Sequence, residues 1–81
     1  MSDFSIHNTI RQMLADEFGL EEDLAFDQAL FSSGLLDSLN SLEILVYLEK
    51  KFGLKISPLD VALDDFDTVN SIVGVVERLR G

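Results

Sequence analysis

The stretch that decides the fold is Phe31-Ser32-Ser33-Gly34-Leu35-Leu36-Asp37-Ser38-Leu39-Asn40-Ser41-Leu42-Glu43, in which a loop becomes an amphipathic helix. Gly34 is typical of a turn and Asp37 of a helix N-cap, and apolar residues recur at helical spacing after Ser38. Ser38 is therefore predicted to lie at a helix N-terminus, where unpaired N–H donors and the helix dipole stabilise negative charge. A phosphate ester on its hydroxyl would be favoured at this position.

Two helices are predicted on either side of that loop. The second runs from about Ser38 to Phe52 and ends at Gly53, a residue suited to the left-handed C′ position. The first runs from about Asp3 to Phe18, where apolar residues recur at helical spacing, and Gly19 is its C′ residue. Residues 20–36 are too irregular for a long helix and too apolar for a free loop, so they are expected to lie over the core with a short turn near Asp27 to Phe31.

The remainder of the chain predicts one short and one longer helix. A helix of about one turn is expected between Pro58 and Asp65, with Pro58 near its start. The last helix runs from about Thr68 to Leu79, with Asp67 or Thr68 as its N-cap. Because no segment shows strand-like alternation, the prediction is an all-α fold: a single domain over residues 1–81, built as a small antiparallel three-to-four-helix bundle with a long loop between helices one and two.

Composition narrows the function further. The 81 residues include no cysteine, which excludes a disulfide, a thiolate metal site and a cysteine nucleophile. Fifteen acidic and six basic residues give a net charge of −9, which disfavours binding to nucleic acid and to anionic membranes. The N-terminus resembles no secretion signal and no apolar run is long enough to span a bilayer, so we expect a cytoplasmic protein, and a monomer.

Two segments carry a resemblance to a known family. Gly34-Leu35-Leu36-Asp37-Ser38 and Asp65-Phe66-Asp67-Thr68-Val69-Asn70 resemble the acyl carrier and phosphopantetheine-binding carrier proteins, with the closest similarity to stand-alone aminoacyl carriers of the D-alanyl type. The resemblance covers nearly the whole chain. It implies a fold like that of acyl carrier protein and no catalytic activity of its own.

The same resemblance implies a cofactor and a set of partners. A phosphopantetheinyl transferase would attach 4′-phosphopantetheine from coenzyme A to Ser38, with Asp37 contributing to recognition by the transferase. An adenylating ligase or an acyltransferase would then load the thiol of the arm, and downstream enzymes would accept the cargo. The protein would thus shuttle acyl or aminoacyl groups as thioesters, and the arm would supply the sulfur that a cysteine-free chain lacks.

The second helix departs from the fatty-acid carriers in its charge. Asn40 stands where those carriers usually have Asp, and Lys50-Lys51 stand where acidic residues are frequent. These differences favour an aminoacyl or specialised acyl cargo over a long fatty-acyl one, and leave the identity of the cargo open.

Helix two carries more apolar surface than one core face requires. Ile44, Leu45, Leu48 and Phe52 fit a buried stripe, whereas a second stripe continues from Ser38 on another face. That second stripe is either sandwiched in the core or available to a partner, and its acidic flanks favour a partner. The predicted partner-binding residues are Leu39, Leu42, Glu43, Val46 and Glu49. The alternative function is an unmodified helical interaction module that docks through Leu39, Leu42 and Val46.

Simpler explanations compete for several polar residues. Ser38 could be only an N-cap, although Asp37 is equally able to cap the helix, and Ser32, Ser33 and Ser41 are nearby alternatives as modification sites. His7, the only histidine, is predicted to be exposed, with no partner for a metal site or a proton relay. Capping and solvation account better than metal binding for the acidic cluster of Asp60, Asp64, Asp65 and Asp67. We therefore predict neither a metal site nor catalytic residues.

Overall fold

The computed structural model describes residues 4–80, which form three α-helices and one short 3₁₀ helix. The α-helices are α1 (Ser5–Phe18), α2 (Ser38–Phe52) and α3 (Val69–Arg80), and the 3₁₀ helix (Leu63–Phe66) lies between α2 and α3. No strand occurs within residues 4–80, so the predicted all-α class is confirmed. None of the helices in this range has the length and apolarity that a bilayer crossing requires.

The ends of α2 fall where the sequence places them, because local signals define both. Asp37 caps the N-terminus, and Gly53 follows the last helical residue with φ +64°, a left-handed conformation that costs glycine little. Gly19 ends α1 as predicted. The predicted start of the first helix at Asp3 lies outside the described residues.

One hydrophobic core holds the helices together. α1 and the 3₁₀ helix both pack against α3, and the 3₁₀ helix also contacts α2. The side chains that are completely shielded from solvent come from all three α-helices and from the connecting loop: Ile10, Leu14, Leu30, Ile44, Leu48, Val69, Ile72 and Val76. Residues of every element thus share one core, which suits a chain of this size.

The loop between α1 and α2 lies over this core, as predicted. Leu24, Leu30 and Leu36 are buried at intervals along it, while the acidic residues of the loop, Glu21, Glu22, Asp23 and Asp27, face solvent. Turns occupy residues 22–23, 26–27 and 31–34, and the last two flank the single turn predicted near Asp27 to Phe31. A backbone hydrogen bond of 3.0 Å from Asn70 N–H to the Phe26 carbonyl ties the loop to α3.

The short helix after α2 differs from its prediction. It spans Leu63–Phe66 as a 3₁₀ helix and begins five residues beyond Pro58. Pro58 lies instead in a turn over residues 57–60, which is closed by a 2.9 Å hydrogen bond from Asp60 N–H to the Ser57 carbonyl. Proline is as well suited to the second position of such a turn as to the first turn of a helix, so its presence alone could not distinguish the two.

Candidate functional site

The N-terminus of α2 leaves Ser38 free for chemistry because Asp37 carries out the capping. Asp37 Oδ1 accepts hydrogen bonds from the backbone N–H of Leu39 (3.0 Å) and of Asn40 (3.3 Å). Ser38 is the first residue of the helix and is exposed, and its hydroxyl makes no hydrogen bond within residues 4–80. Of the two capping residues that the sequence allowed, the structure thus uses Asp37.

A second hydrogen bond closes the cap from the other side. The backbone N–H of Asp37 donates to Asn40 Oδ1 at 2.9 Å, which completes a reciprocal capping box. The amide nitrogen of Asn40 in turn donates to Glu43 Oε1 at 3.1 Å. Asn40 is therefore a structural part of the helix start and contacts Glu43.

The three serines that competed with Ser38 are all engaged in internal hydrogen bonds. Ser32 Oγ donates to Asp67 Oδ2 at 2.8 Å, Ser33 Oγ to the Ala29 carbonyl at 2.6 Å, and Ser41 Oγ to the Ser38 carbonyl at 2.6 Å. Modification of any of them would break an existing bond. Within the motif, Ser38 alone combines an exposed, unbonded hydroxyl with a position at a helix N-terminus.

The two faces of α2 differ in exposure as the periodicity predicts. Leu39, Leu42 and Val46 are 71%, 53% and 44% exposed, whereas Ile44 and Leu48 are completely buried. The second apolar stripe is thus not sandwiched in the core. We call Leu39, Leu42 and Val46 the apolar face of α2; its role as a partner surface stays a prediction.

The two glutamates predicted to flank this face lie in different surroundings. Glu43 is exposed, close to the helix start. Glu49 is half-buried, and its Oε2 accepts a 2.9 Å hydrogen bond from the backbone N–H of Ile56. Glu49 therefore anchors the chain that follows α2. Helical periodicity could not predict this contact, because the end of the helix lies between Glu49 and Ile56.

A shallow groove of about 230 Å³ opens beside Ser38, between α2 and the segment that leads into the 3₁₀ helix. Its lining is mostly apolar, and the buried side chains of Leu45 and Phe66 are part of it. This groove was not predicted from the sequence, although the apolar residues Val61, Leu63 and Phe66 after Pro58 indicate it. The complete lining is Ser38, Ser41, Leu42, Leu45, Pro58, Val61, Ala62, Leu63 and Phe66.

Asp67 has a different role from the helix cap that the sequence allowed for it. Thr68 caps α3, since its Oγ1 accepts a 3.0 Å hydrogen bond from Ser71 N–H. The carboxylate of Asp67 instead reaches the loop before α2, where it accepts hydrogen bonds from Ser32 and from its two preceding neighbours. The bonds from the backbone and hydroxyl of Ser32, and then from the backbone of Phe31 and Leu30, hold the pKa of Asp67 below its usual value.

The prediction that His7 is exposed is wrong. The ring is half-buried between Phe4 and Phe26, with centroid distances of 5.1 Å and 4.9 Å, and its buried Nδ1 makes no hydrogen bond to any of residues 4–80. Phe26 comes from the loop over the core, so helical periodicity alone could not reveal this contact. The guanidinium carbon of Arg11, Cζ, lies over the ring of Phe26, 4.7 Å from the ring centroid.

The carboxylates of the predicted acidic cluster do not form one site, since Asp65 and Asp67 hydrogen-bond to different parts of the backbone. Asp65 Oδ2 accepts a 2.8 Å hydrogen bond from Ala62 N–H, whereas Asp67 holds the loop before α2. Among residues 4–80, no three histidine, aspartate or glutamate side chains are grouped as a metal site. Hydrogen bonds from backbone N–H groups thus account for two of the four carboxylates.

Comparison with known proteins shows the family to which this chain belongs. Residues 8–76 match the family described as "Phosphopantetheine attachment site". The chain is 36% identical over 76 residues to the D-alanyl carrier proteins of Streptococcus pyogenes serotype M5 (strain Manfredo) and serotype M49 (strain NZ131), covering 94% of this chain and 96% of each relative. Proteins of this family carry covalently attached 4′-phosphopantetheine and are not themselves enzymes. The chain belongs to the phosphopantetheine-binding carrier proteins.

Proposed function

We propose that Ser38 carries the 4′-phosphopantetheine arm and that the protein shuttles D-alanyl or similarly small aminoacyl or acyl groups as thioesters between partner enzymes. The observation that carries this proposal is the free, exposed hydroxyl of Ser38 at the capped N-terminus of α2, next to three serines whose hydroxyls are engaged. The phosphodiester formed there would be stabilised by the positive end of the helix.

Attachment of the arm is a group transfer to the serine oxygen. Ser38 Oγ attacks the phosphorus of coenzyme A that carries the pantetheine, the pyrophosphate bond breaks, and adenosine 3′,5′-bisphosphate leaves. The serine proton passes to a base of the phosphopantetheinyl transferase, and a magnesium ion bound by that enzyme neutralises the developing charge. The exposed Ser38 and the rigid cap formed by Asp37 present the nucleophile to an incoming enzyme.

The thiol at the end of the arm accepts the cargo. We infer that an adenylating ligase or an acyltransferase forms the thioester and that downstream enzymes remove the acyl group. Tethering raises the concentration of the cargo near each docked enzyme. We place this cycle in the cytoplasm, where coenzyme A and ATP are available, with the carrier acting as a monomer.

Two observations favour a small cargo. The relatives cited above are D-alanyl carrier proteins. The groove beside Ser38 has about 230 Å³ of space, and the side chains of Leu45 and Phe66 close it against the core. A short acyl or aminoacyl group and part of the arm fit such a groove, whereas a long fatty chain would have to displace core residues.

We further propose that partner enzymes dock on the apolar face of α2. Its three exposed side chains follow directly from Ser38, so an enzyme bound there has the arm within reach. Glu43 adds a negative charge at the edge of this face, which favours partners with basic surfaces. Glu49 contributes less in this proposal, because one of its carboxylate oxygens is engaged by Ile56.

Intact mass spectrometry tests the assignment of Ser38. The purified protein is incubated with coenzyme A, magnesium and a transferase of broad specificity, alongside the variants Ser38→Ala and Ser41→Ala. We expect the wild type and Ser41→Ala to gain the mass of one phosphopantetheine group and Ser38→Ala to gain none. An unmodified wild type would favour the plain interaction module, and a modified Ser38→Ala would move the site elsewhere.

The same measurement on protein isolated from its own cell identifies the cargo. Apo, holo and loaded forms differ in mass, and hydroxylamine releases a thioester-bound group but leaves the phosphodiester intact. We expect a small aminoacyl or acyl adduct. A long-chain fatty-acyl adduct would overturn the argument that the groove beside Ser38 favours a small cargo.

A further inference from the structure

Residues 30–36, which form the loop directly before Asp37 and Ser38, are held in place by several contacts. Leu30 and Leu36 anchor its two ends in the core, and Leu36 N–H donates to the Leu30 carbonyl at 2.8 Å. Asp37 and Ser38 follow Leu36 directly. The orientation of the reactive serine therefore depends on how firmly residues 30–36 are held.

Asp67 supplies the densest set of contacts to this loop. Its Oδ1 accepts hydrogen bonds from three successive backbone N–H groups, those of Leu30 (3.2 Å), Phe31 (2.7 Å) and Ser32 (3.0 Å). Its Oδ2 accepts the hydroxyl of Ser32 at 2.8 Å. Hydrogen bonds to an ionised carboxylate are stronger than those between neutral groups, so this one side chain immobilises three consecutive residues.

We propose that Asp67 is a positioning residue for phosphopantetheine attachment: its carboxylate fixes residues 30–32 and thereby holds the loop in the geometry that presents Ser38. The inference rests on the proposed role of Ser38 as the acceptor. Asp67 acts through the loop and takes no part in the transfer itself.

The contacts around Asp67 indicate that its loss would loosen the loop without unfolding the domain. The backbone carbonyl of Asp67 still accepts from Leu30 N–H at 2.7 Å, and Asn70 N–H still donates to Phe26. Ser32 is exposed, so its freed N–H can bind water. Leu30 and Leu36 remain in the core. What changes is the ordering of the loop, and therefore the fraction of molecules in which Ser38 is correctly presented.

The test compares four variants by their rate of modification at a temperature where circular dichroism shows each of them folded. Asp67→Asn removes the negative charge that strengthens the hydrogen bonds from Leu30, Phe31 and Ser32, and it replaces one carboxylate oxygen by an N–H₂ group, so that one acceptor oxygen is left. Asp64→Asn removes a neighbouring charge from the exposed side of the 3₁₀ helix and is the matched control. Val73→Ala lowers the stability through the α3 core and leaves the loop contacts intact. Ser32→Ala, which deletes one of the four bonds, gives a graded intermediate.

We expect kcat/KM for transfer from coenzyme A to fall about tenfold in Asp67→Asn and less in Ser32→Ala, with Asp64→Asn and Val73→Ala close to wild type. In parallel, amide hydrogen exchange should accelerate at Phe31 and Ser32 in Asp67→Asn but not in Val73→Ala. A rate unchanged in Asp67→Asn, or lowered equally in Val73→Ala, would overturn the positioning role. The role of Ser38 would survive either result, because it is overturned only if wild type fails to react or Ser38→Ala still reacts.

Discussion

The N-termini of α2 and α3 begin with nearly the same four residues and use them differently. Asp37-Ser38-Leu39-Asn40 precedes and opens α2, and Asp67-Thr68-Val69-Asn70 precedes and opens α3. In α2 the aspartate caps the helix, so the serine is its first residue and is free. In α3 the helix begins one residue later, the threonine is the cap, and the aspartate is available for the distant loop.

The third residue of each segment shows the difference in environment. Leu39 is largely exposed, whereas Val69 is completely buried. The start of α2 therefore faces solvent and potential partners, and the start of α3 faces the core and the loop. This four-residue pattern, which is Asp followed by a hydroxyl residue, an apolar residue and Asn, does not by itself define an attachment site. The surroundings of the pattern determine whether the hydroxyl is free.

Removing the two hydroxyls should separate the two helix starts most strongly. Ser38→Ala should abolish modification and leave the helical circular dichroism unchanged, because Asp37 still caps α2. Thr68→Ala should still be modified but lose about 1 kcal/mol of unfolding free energy, the usual cost of a lost cap. Intact mass and urea denaturation measure the two effects. A Thr68→Ala variant that is as stable as wild type but unmodified would show that the Thr68 hydroxyl serves modification and not the capping of α3.

Truncating the two apolar residues should have the next largest effect. Val69→Ala should lower the unfolding free energy by roughly 2 kcal/mol, because it removes buried methyl groups and leaves a cavity. Leu39→Ala should change stability by less than about 0.5 kcal/mol and instead slow loading by the partner ligase. Equal losses in thermal melts of the two variants would place Leu39 in the core.

The difference between these helix starts also marks what the sequence could predict. Local spacing was enough to predict three features of α2, because a single sequence displays it directly. These features are the bounds of the helix, the exposed face that includes Leu39, and the candidate site Ser38. The contact from Asp67 to Ser32 spans 35 positions along the chain, and the sequence offers no periodicity that links them. For the same reason the aromatic contact of His7 with Phe26 was not foreseen, since it joins α1 to an irregular loop.

Charge should distinguish the two helices by a smaller margin. Glu43 lies one turn from Ser38 beside the apolar face of α2, whereas Glu77 is an exposed acid on α3. Both substitutions change the net charge equally, but Glu43→Lys should slow the transferase and ligase steps a few-fold and Glu77→Lys should slow them less, because only Glu43 lies at the proposed docking face. Added salt should reduce the wild-type rate and narrow the gap between the variants. Equal rates in both variants at every ionic strength would indicate docking by shape and apolar contact alone.

The smallest effect concerns Asp67 in acid. Hydrogen bonds from Ser32, Phe31 and Leu30 lower the pKa of Asp67 below the ordinary 3.8, so its carboxylate favours the folded state at every pH above that value. As the pH falls below about 4 and through the lower pKa of the folded state, this contribution is lost, because the protonated carboxyl accepts these bonds less well.

Urea denaturation between pH 6 and pH 3 should therefore show a shallower acid decline in Asp67→Asn than in wild type, with the two curves converging at the acid end. Asp64→Asn, the matched change on the exposed side of the 3₁₀ helix, is the control for the loss of one negative charge. If Asp67→Asn declines as steeply as wild type, the carboxylate does not favour the folded state through these bonds, and the contrast between the two helix starts reduces to which hydroxyl is exposed.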